Sequence, residues 1–198
     1  MVLAWHVEYW DYLGWRDPFA HASHTERQKR YARAHGGKGL VTPQILVANA
    51  DTRGKKIGEA IAAAAEQPAR LAIDGRARHA QGKLEVEVRL RKLDPALALE
   101  PAVKVRPVLF QRTAVTSCTA GENQGAKLEE HFVVRQALEG VDPALALGDA
   151  GARFAFDLPE GVPPAEWGVA ILVEDEATMK TLECRALEVE VDPPRSGK

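Results

Sequence analysis

The sequence predicts an α+β protein in which a short α/β unit precedes a longer, antiparallel β-rich unit. The first 68 residues mix apolar, strand-like runs with two helical segments, whereas strand-like segments dominate from Ala69 onward. In "LEVEVRL" the apolar side chains from Leu84 to Leu90 alternate with charged ones, which is typical of a strand with one buried and one solvated face. The 198 residues are 45% hydrophobic and 27% charged, an ordinary balance for a globular protein.

The first unit begins with "VLAWHV" (2–7), an apolar run that predicts a strand buried on both faces. The next stretch, "EYWDYLGWRDPF" (8–19), has no clean period of 2 or 3.6 and predicts a structured loop. "SHTERQKRYARAHGG" then predicts a helix that starts at a capping box of Ser23 and Glu26 and stops at Gly36.

A short hairpin with Pro43 at its entrance follows, and then an Ala-rich helix that ends before Pro68. The unit therefore closes near residue 68. From there to 192 the segments predict an antiparallel β-sandwich, and 193–198 predicts a flexible tail.

One hexapeptide, "DPALAL", occurs twice, starting at Asp94 and at Asp142. Asp followed by Pro is a good start for either a turn or a helix, because Asp can cap and Pro fits the first helical position. A duplicated half-domain and chance reuse of a turn both account for the repeat.

Composition argues against several partner classes. The chain has 26 basic and 28 acidic residues and a net charge of -2, so it has no overall field that would attract nucleic acid or anionic lipid. No apolar run approaches the roughly 20 residues of a membrane span. The start shows no signal peptide, so we expect a cytoplasmic protein if Met1 is the true start.

The sequence predicts neither a metal nor a cofactor. His21 and His24 form only a weak pair of ligands, and there is no phosphate-binding loop or dinucleotide fingerprint. Cys118 and Cys184 match neither a C-x-x-C nor a zinc pattern, and whether they pair is left open.

Six of the twelve aromatic residues lie within the first nineteen positions. This segment predicts an aromatic and polar surface formed by His6, Tyr9, Trp10, Asp11 and Trp15. If the strand continues far enough, Glu8 lies on the same side as His6 and could orient and charge its imidazole. The alternative is ordinary packing of Trp and Tyr beneath the helix.

The loop "GENQG" offers a second candidate site. Glu122 and Asn123 could contact a polar ligand, or they could simply form a hairpin turn whose flanking glycines, Gly121 and Gly125, supply positive φ angles.

The third candidate is "VTPQILV", where the Thr42–Pro43 bond precedes a strand. Proline cannot donate to a strand ladder, and an X-Pro bond at such a place can be cis. In thiol-disulfide oxidoreductases a cis-proline loop receives an extended substrate beside a C-x-x-C pair, and that chemistry requires a thiolate.

Taken together, "LAWHVEYWDYLGWRDPF", "VTPQILVAN", "GENQGAKLEEHFVVR" and "VAILVEDEATMKTLECRAL" resemble the bacterial family called domain of unknown function 1223. The resemblance runs nearly end to end. It implies a thioredoxin-like first domain, a β-rich second domain and a periplasmic or secreted location.

Family members carry a strand and a C-x-x-C segment ahead of the equivalent of "LAWHV". The resemblance therefore implies that the first domain is incomplete here and that Met1 is an internal or misassigned start. It gives Thr42 and Pro43 the cis-proline role and places a redox cysteine on no position of this chain. Two functions remain open: a redox-inactive relative of thiol-disulfide oxidoreductases, or a non-enzymatic binding or assembly module that uses the β-sandwich. A protein partner is possible in either case.

Overall fold

The computed structural model describes residues 1–52, 56–80 and 82–191 and shows an α+β fold. The predicted flexible tail, 193–198, lies outside the described residues. In the described part, none of the helices is both long and apolar enough to cross a bilayer.

The first unit contains few ladder hydrogen bonds of its own. Its elements are a 3-10 helix at Glu8–Leu13, α1 at Ala22–Ala34, β1 at Leu46–Val47, β2 at Ala50–Asp51 and α2 at Ile57–Ala65. Strands β1 and β2 form a two-residue hairpin whose turn residues, Ala48 and Asn49, both have positive φ. This is the conformation that a tight hairpin requires.

The expectation of a strand at 2–7 buried on both faces is wrong. Ala4 makes a single parallel bridge to Val133, with hydrogen bonds of 2.9 Å to Phe132 O and from Val134 N. The segment thus lies against the edge of another strand, and Val2 remains 63% exposed. An apolar run fits a doubly buried strand only where neighbours cover both faces, and here only one is covered.

The predicted capping box is also corrected. Helix α1 begins one residue before Ser23, and its N-cap is His21, whose Nδ1 accepts the Ser23 backbone N–H at 3.2 Å. His21 has extended backbone angles, which is the geometry that an N-cap needs. The helix itself lies where the sequence predicts it.

The second unit consists of two four-stranded sheets. One has the order β10-β3-β4-β7 and the other the order β6-β5-β8-β9. The elements are β3 (Leu71–Ala80), β4 (Lys83–Lys92), β5 (Val103–Ser117), β6 (Lys127–Ala137), α3 (Pro143–Leu147), β7 (Ala152–Asp157), a 3-10 helix (Pro164–Glu166), β8 (Trp167–Asp175), β9 (Lys180–Leu187) and β10 (Val189–Val191).

One strand pair departs from the predicted antiparallel arrangement. After β9 the chain passes from one sheet to the other at Glu188, and β10 then runs parallel to β3. Because the chain changes sheets without reversing direction, the new pair cannot be an antiparallel hairpin.

A single apolar core joins the two sheets. It contains Leu71, Leu84 and Phe156 from one sheet and Val105 and Ile171 from the other, each at most 2% exposed. The alternation in β4 follows the predicted pattern of buried apolar and exposed charged side chains.

A smaller apolar cluster lies on the opposite face of the second sheet. Val108, Phe110, Val134, Ala170 and Leu172 form it, and Leu3 and Trp5 of the first unit pack against it. Strand β8 is consequently buried along both faces. The first unit thus covers the outer face of this sheet.

Candidate functional site

The cis-proline loop lies beside the aromatic segment. The Thr42–Pro43 peptide bond is cis, and both residues are exposed. The indole N–H of Trp10 donates to the Thr42 hydroxyl at 2.8 Å. Two of the sequence-derived candidates, separated by more than thirty residues, therefore form one surface.

The side chain of Gln28 in α1 holds the cis-proline loop in place through hydrogen bonds. Its side-chain amide donates to the Val41 carbonyl at 2.8 Å and to the Gln44 side chain at 3.2 Å, and its Oε1 accepts from the Tyr9 hydroxyl at 3.1 Å. Gln44 in turn donates to Asp51 in β2 at 3.1 Å. This chain of hydrogen bonds holds the loop, the 3-10 helix and the β1–β2 hairpin on one helix face.

His6 forms an ion pair with Asp17. His6 Nδ1 lies 2.6 Å from Asp17 Oδ2 and 3.8 Å from Glu130 Oε1 in β6. The hydrogen bond to Asp17 raises the pKa of His6, against the opposing effect of burial. Although burial alone would raise it, hydrogen bonds from His6 and from the Phe19 backbone N–H keep the pKa of Asp17 below its usual value. Burial raises the pKa of Glu130.

The sequence suggested Glu8 as the carboxylate partner of His6, and this prediction is wrong. Glu8 accepts a hydrogen bond from the Thr25 hydroxyl of α1, whereas the hydrogen bond of His6 goes to Asp17. The 3-10 helix starts at Glu8, so the strand alternation that would have put both side chains on one side has already ended. Asp17 takes the place of Glu8 because the chain bends between residues 11 and 17, where Asp11 Oδ1 accepts the Asp17 N–H at 3.3 Å.

The aromatic loop also contacts the "GENQG" loop. A Cβ on Gly121 would lie 3.2 Å from Trp15 Cβ, and one on Gly14 would lie 3.6 Å from Gly121 Cα. Glu122 and Asn123 are exposed within a turn in which the Asn123 carbonyl accepts the Ala126 N–H at 3.0 Å. Trp15 thus packs against the backbone of the turn.

A buried ion network positions α1 on the second unit. Glu174 is 2% exposed. Its carboxylate accepts hydrogen bonds from both terminal nitrogens of Arg27, at 3.0 and 2.6 Å, and from Nε of Arg106, at 2.7 Å. Burial alone would raise the pKa of Glu174, but the two guanidinium groups keep it below its ordinary value. Arg106 also binds Glu176, and Arg27 lies 4.8 Å over the Trp5 ring. The helix that supports the candidate surface is therefore ionically anchored.

The sequence-derived candidates form two groups rather than one. Tyr9, Trp10, Thr42 and Pro43 lie together at the cis-proline loop. His6 and Trp15 instead contact the second unit, and Asp11 binds the Asp17 N–H within its own loop. Sequence inspection missed Asp17, Glu130 and Gln28, because each acts through a partner far along the chain. The only local signal was the Asp17–Pro18 pair, which favours a turn.

The described residues contain no group of three or more His, Cys, Asp or Glu side chains that could hold a metal ion. The thiols of Cys118 and Cys184 are both free, the first buried and the second exposed. The open question of their pairing is thereby answered.

Comparison with known proteins identifies the family. Residues 1–174 match the family described as "Protein of unknown function (DUF1223)". No curated protein matches the chain.

Two solved structures match the chain. An X-ray structure of a structural-genomics target protein from Agrobacterium tumefaciens has a TM-score of 0.61 and 22% identity, and covers 94% of this chain and 79% of that one. A domain of the outer membrane lipoprotein Omp28 from Porphyromonas gingivalis has a TM-score of 0.44 and 15% identity over 64% of this chain and 93% of that one. The Agrobacterium protein shares the fold, and at this identity the likeness extends no further.

Proposed function

The chain belongs to the DUF1223 family of proteins of unknown function, and we propose that it is a binding module that holds an extended polypeptide segment and exchanges no dithiols itself. In this proposal residues 1–68 are a thioredoxin-like unit and residues 69–192 a β-sandwich-like domain. The binding surface surrounds the cis Thr42–Pro43 bond. The observation that carries the proposal is the exposed apolar surface on both sides of that bond.

This surface, which we call the aromatic edge, consists of Trp10, Tyr12, Leu13, Ile45 and Leu46. Their exposed fractions run from 39% to 75%. Trp10 and Tyr12 stack with ring centroids 6.2 Å apart, and the Trp10–Thr42 hydrogen bond joins them to the loop. A group of exposed large apolar side chains of this kind is characteristic of a site for a protein or peptide.

An extended segment is the occupant that fits a cis-proline loop at the start of a strand. Thr42 and Pro43 are exposed just before β1, so a polypeptide lying there can pair through its backbone while its apolar side chains contact the aromatic rings. Trp and Tyr suit this role because they offer large rigid contact areas at a low entropic cost.

The cysteines support the non-redox part of the proposal. Cys184 pairs with Leu172 of β8, which pairs with Arg106 of β5. Cys118 lies twelve residues farther along the β5 segment, or about 40 Å at the rise of an extended chain. A disulfide requires Cα atoms within about 7 Å, so these two thiols cannot serve as a dithiol pair.

Binding can be tested by fluorescence anisotropy with a labelled decapeptide of alternating Val and Thr. We expect Trp10→Ala to weaken binding at least about tenfold. Truncation of an aromatic side chain that becomes buried in an interface usually costs more than about 1 kcal/mol of binding free energy. Leu145→Ala is the control, since Leu145 is also exposed and apolar but lies on α3. Equal losses in the two variants would contradict the proposal.

A separate assay tests the redox part. Insulin reduction with dithiothreitol as electron source should proceed no faster with this chain than without it. Catalytic turnover would overturn the non-redox assignment while leaving peptide binding at the aromatic edge open to the first assay.

A groove on the second unit supports one alternative, a binding or assembly module that acts through the β-sandwich. The groove has a volume of about 420 Å³ and is lined by Glu85, Val86, Glu87, Arg153, Phe154 and Ala155. It lies where β7 forms the edge of its sheet. If Phe154→Ala lowers peptide affinity and Trp10→Ala does not, this alternative replaces the first proposal.

A further inference from the structure

Arg135 occupies an unusual position in β6. Leu109 pairs with Gln136 and Phe110 with Val134, so Arg135 is the extra residue of a β-bulge. Bulges re-aim side chains. Here the guanidinium carbon lies 4.9 Å from the Phe19 ring centroid and 5.8 Å from that of Trp167, so the cation is enclosed between a loop of the first unit and β8.

The guanidinium is half-buried and has no counter-charge among the residues that the structure describes. Its one hydrogen bond among the described residues goes from Nη1 to the neutral Gln111 side chain, and no described carboxylate lies within ion-pair distance. A guanidinium has five N–H donors, so most of those of Arg135 make no hydrogen bond to a described residue. Burial lowers the pKa of Arg135, as expected where removal of water is not compensated by an anion.

The carboxylate of the Phe19 loop does not fill this role. Asp17, two residues before Phe19, already accepts from His6 through one carboxylate oxygen and from the Phe19 N–H through the other. The Phe19 ring is close to both side chains, with the His6 ring centroid at 5.8 Å and the Arg135 guanidinium carbon at 4.9 Å. Among the described residues, carboxylates lie within ion-pair distance of His6 but not of Arg135.

A second donor nearby also lacks an acceptor. Trp167 is fully buried, and its Nε1 has no hydrogen-bond partner among the described residues. Buried donors are nearly always satisfied in native proteins, so an unpaired one indicates an acceptor that the polypeptide does not supply. The Arg135 guanidinium carbon lies 5.8 Å from the Trp167 ring centroid, so one ligand, with or without a bridging water, can serve both donors.

We propose that Arg135 and Trp167 form an oxyanion-binding site between the Phe19 loop and strands β5, β6 and β8. Its ligand carries a carboxylate or phosphate group, since both match the planar fork of a guanidinium and supply an acceptor for the indole N–H. This site is separate from the aromatic edge, and neither requires the other.

The test is an NMR titration of the four Trp indole N–H resonances with sodium acetate and with sodium phosphate, each against sodium chloride at equal ionic strength. The Trp167 signal is identified by its loss in Trp167→Phe. We expect this signal to shift saturably at millimolar ligand, while those of Trp5, Trp10 and Trp15 follow the chloride control. Saturation by acetate alone indicates a carboxylate ligand, and saturation by phosphate alone indicates a phosphate ligand.

Variants decide whether Arg135 is the anchor. Arg135→Met should weaken binding at least tenfold, and Arg135→Lys should weaken it less because it keeps the charge without the fork. Arg112→Met is the matched control, since Arg112 also lies over an aromatic ring, Phe110, but is paired with Glu188. The proposal is overturned if no saturable shift is observed. It is also overturned if Arg135→Lys and Arg135→Met both bind the anion as tightly as the wild type. If Arg135→Met does not fold, unchanged binding in Arg135→Lys overturns it alone.

Discussion

His6 makes the stability of the first unit depend on pH. Its pKa is raised in the folded protein, so its stabilising contribution is complete below the unfolded value of about 6.5 and is lost as the pH rises through the higher folded value. The pKa of Asp17 is lowered, so its contribution is lost only when the pH falls through that lower folded value. The pair is therefore strongest between about pH 4 and pH 6.5.

We expect His6→Gln to lower the free energy of unfolding by about 1 kcal/mol at pH 6 and by less at pH 9. Urea denaturation at the two pH values measures this difference. His131→Gln is the control, because His131 lies on β6 beside Glu130 but is exposed. A loss that does not change with pH would show that His6 acts only through packing.

At the scale of elements, α1 is held by ionic contacts rather than by an apolar face. Its buried residues are His24, Thr25 and Tyr31, and its attachment to β8 passes through Arg27 and Glu174. Glu174 lies next to a register shift in the β8–β9 pairing. Such irregularities redirect side chains, and here the carboxylate reaches the guanidinium groups of Arg27 and Arg106.

Arg27→Met should destabilise the protein by about 3 kcal/mol, because it leaves a buried carboxylate only partly paired. Lys29→Met is the matched control on the same helix, since its pair with Glu26 is exposed to solvent and should contribute little to stability. Thermal or urea unfolding at neutral pH measures both. A small effect of Arg27→Met would mean that Arg106 alone satisfies Glu174.

The repeated hexapeptide shows how much of an element its local sequence determines. At Asp142 it forms the capped helix α3, with Asp142 Oδ1 accepting the Ala144 N–H at 2.8 Å. At Asp94 the same cap forms, at 2.9 Å to Ala96, but the segment is only a turn. The Asp-Pro start is thus local, whereas continuation into a helix depends on what the following residues pack against.

At the scale of the whole molecule, the first unit depends on the second for its packing. Among its described residues only His24, Thr25, Tyr31 and Thr52 are buried, and none belongs to the main apolar core. Its apolar side chains Leu3 and Trp5 instead cover the outer cluster of the second sheet. Asn49 adds a two-point contact, with its side-chain amide bonded to the Thr181 backbone at 2.8 and 2.6 Å.

We therefore expect the two units to unfold together. In Trp167→Phe the remaining tryptophans, Trp5, Trp10 and Trp15, all report on the first unit, while far-ultraviolet circular dichroism reports mainly on the sheets. Urea unfolding should give the same midpoint by both measurements. An earlier midpoint by fluorescence would show that the first unit separates before the sheets unfold.

The sequence by itself determined the α+β class, the two main helices, the alternating strand β4 and the family. These follow from local periodicity, capping and breaking residues, which act over a few positions. The tertiary structure decided that Ala4 joins β6, that Asp17 rather than Glu8 binds His6, and that β8 is buried on both faces. These contacts join residues far apart in the chain, and their free energy depends on which surfaces are removed from water together, which no local pattern specifies.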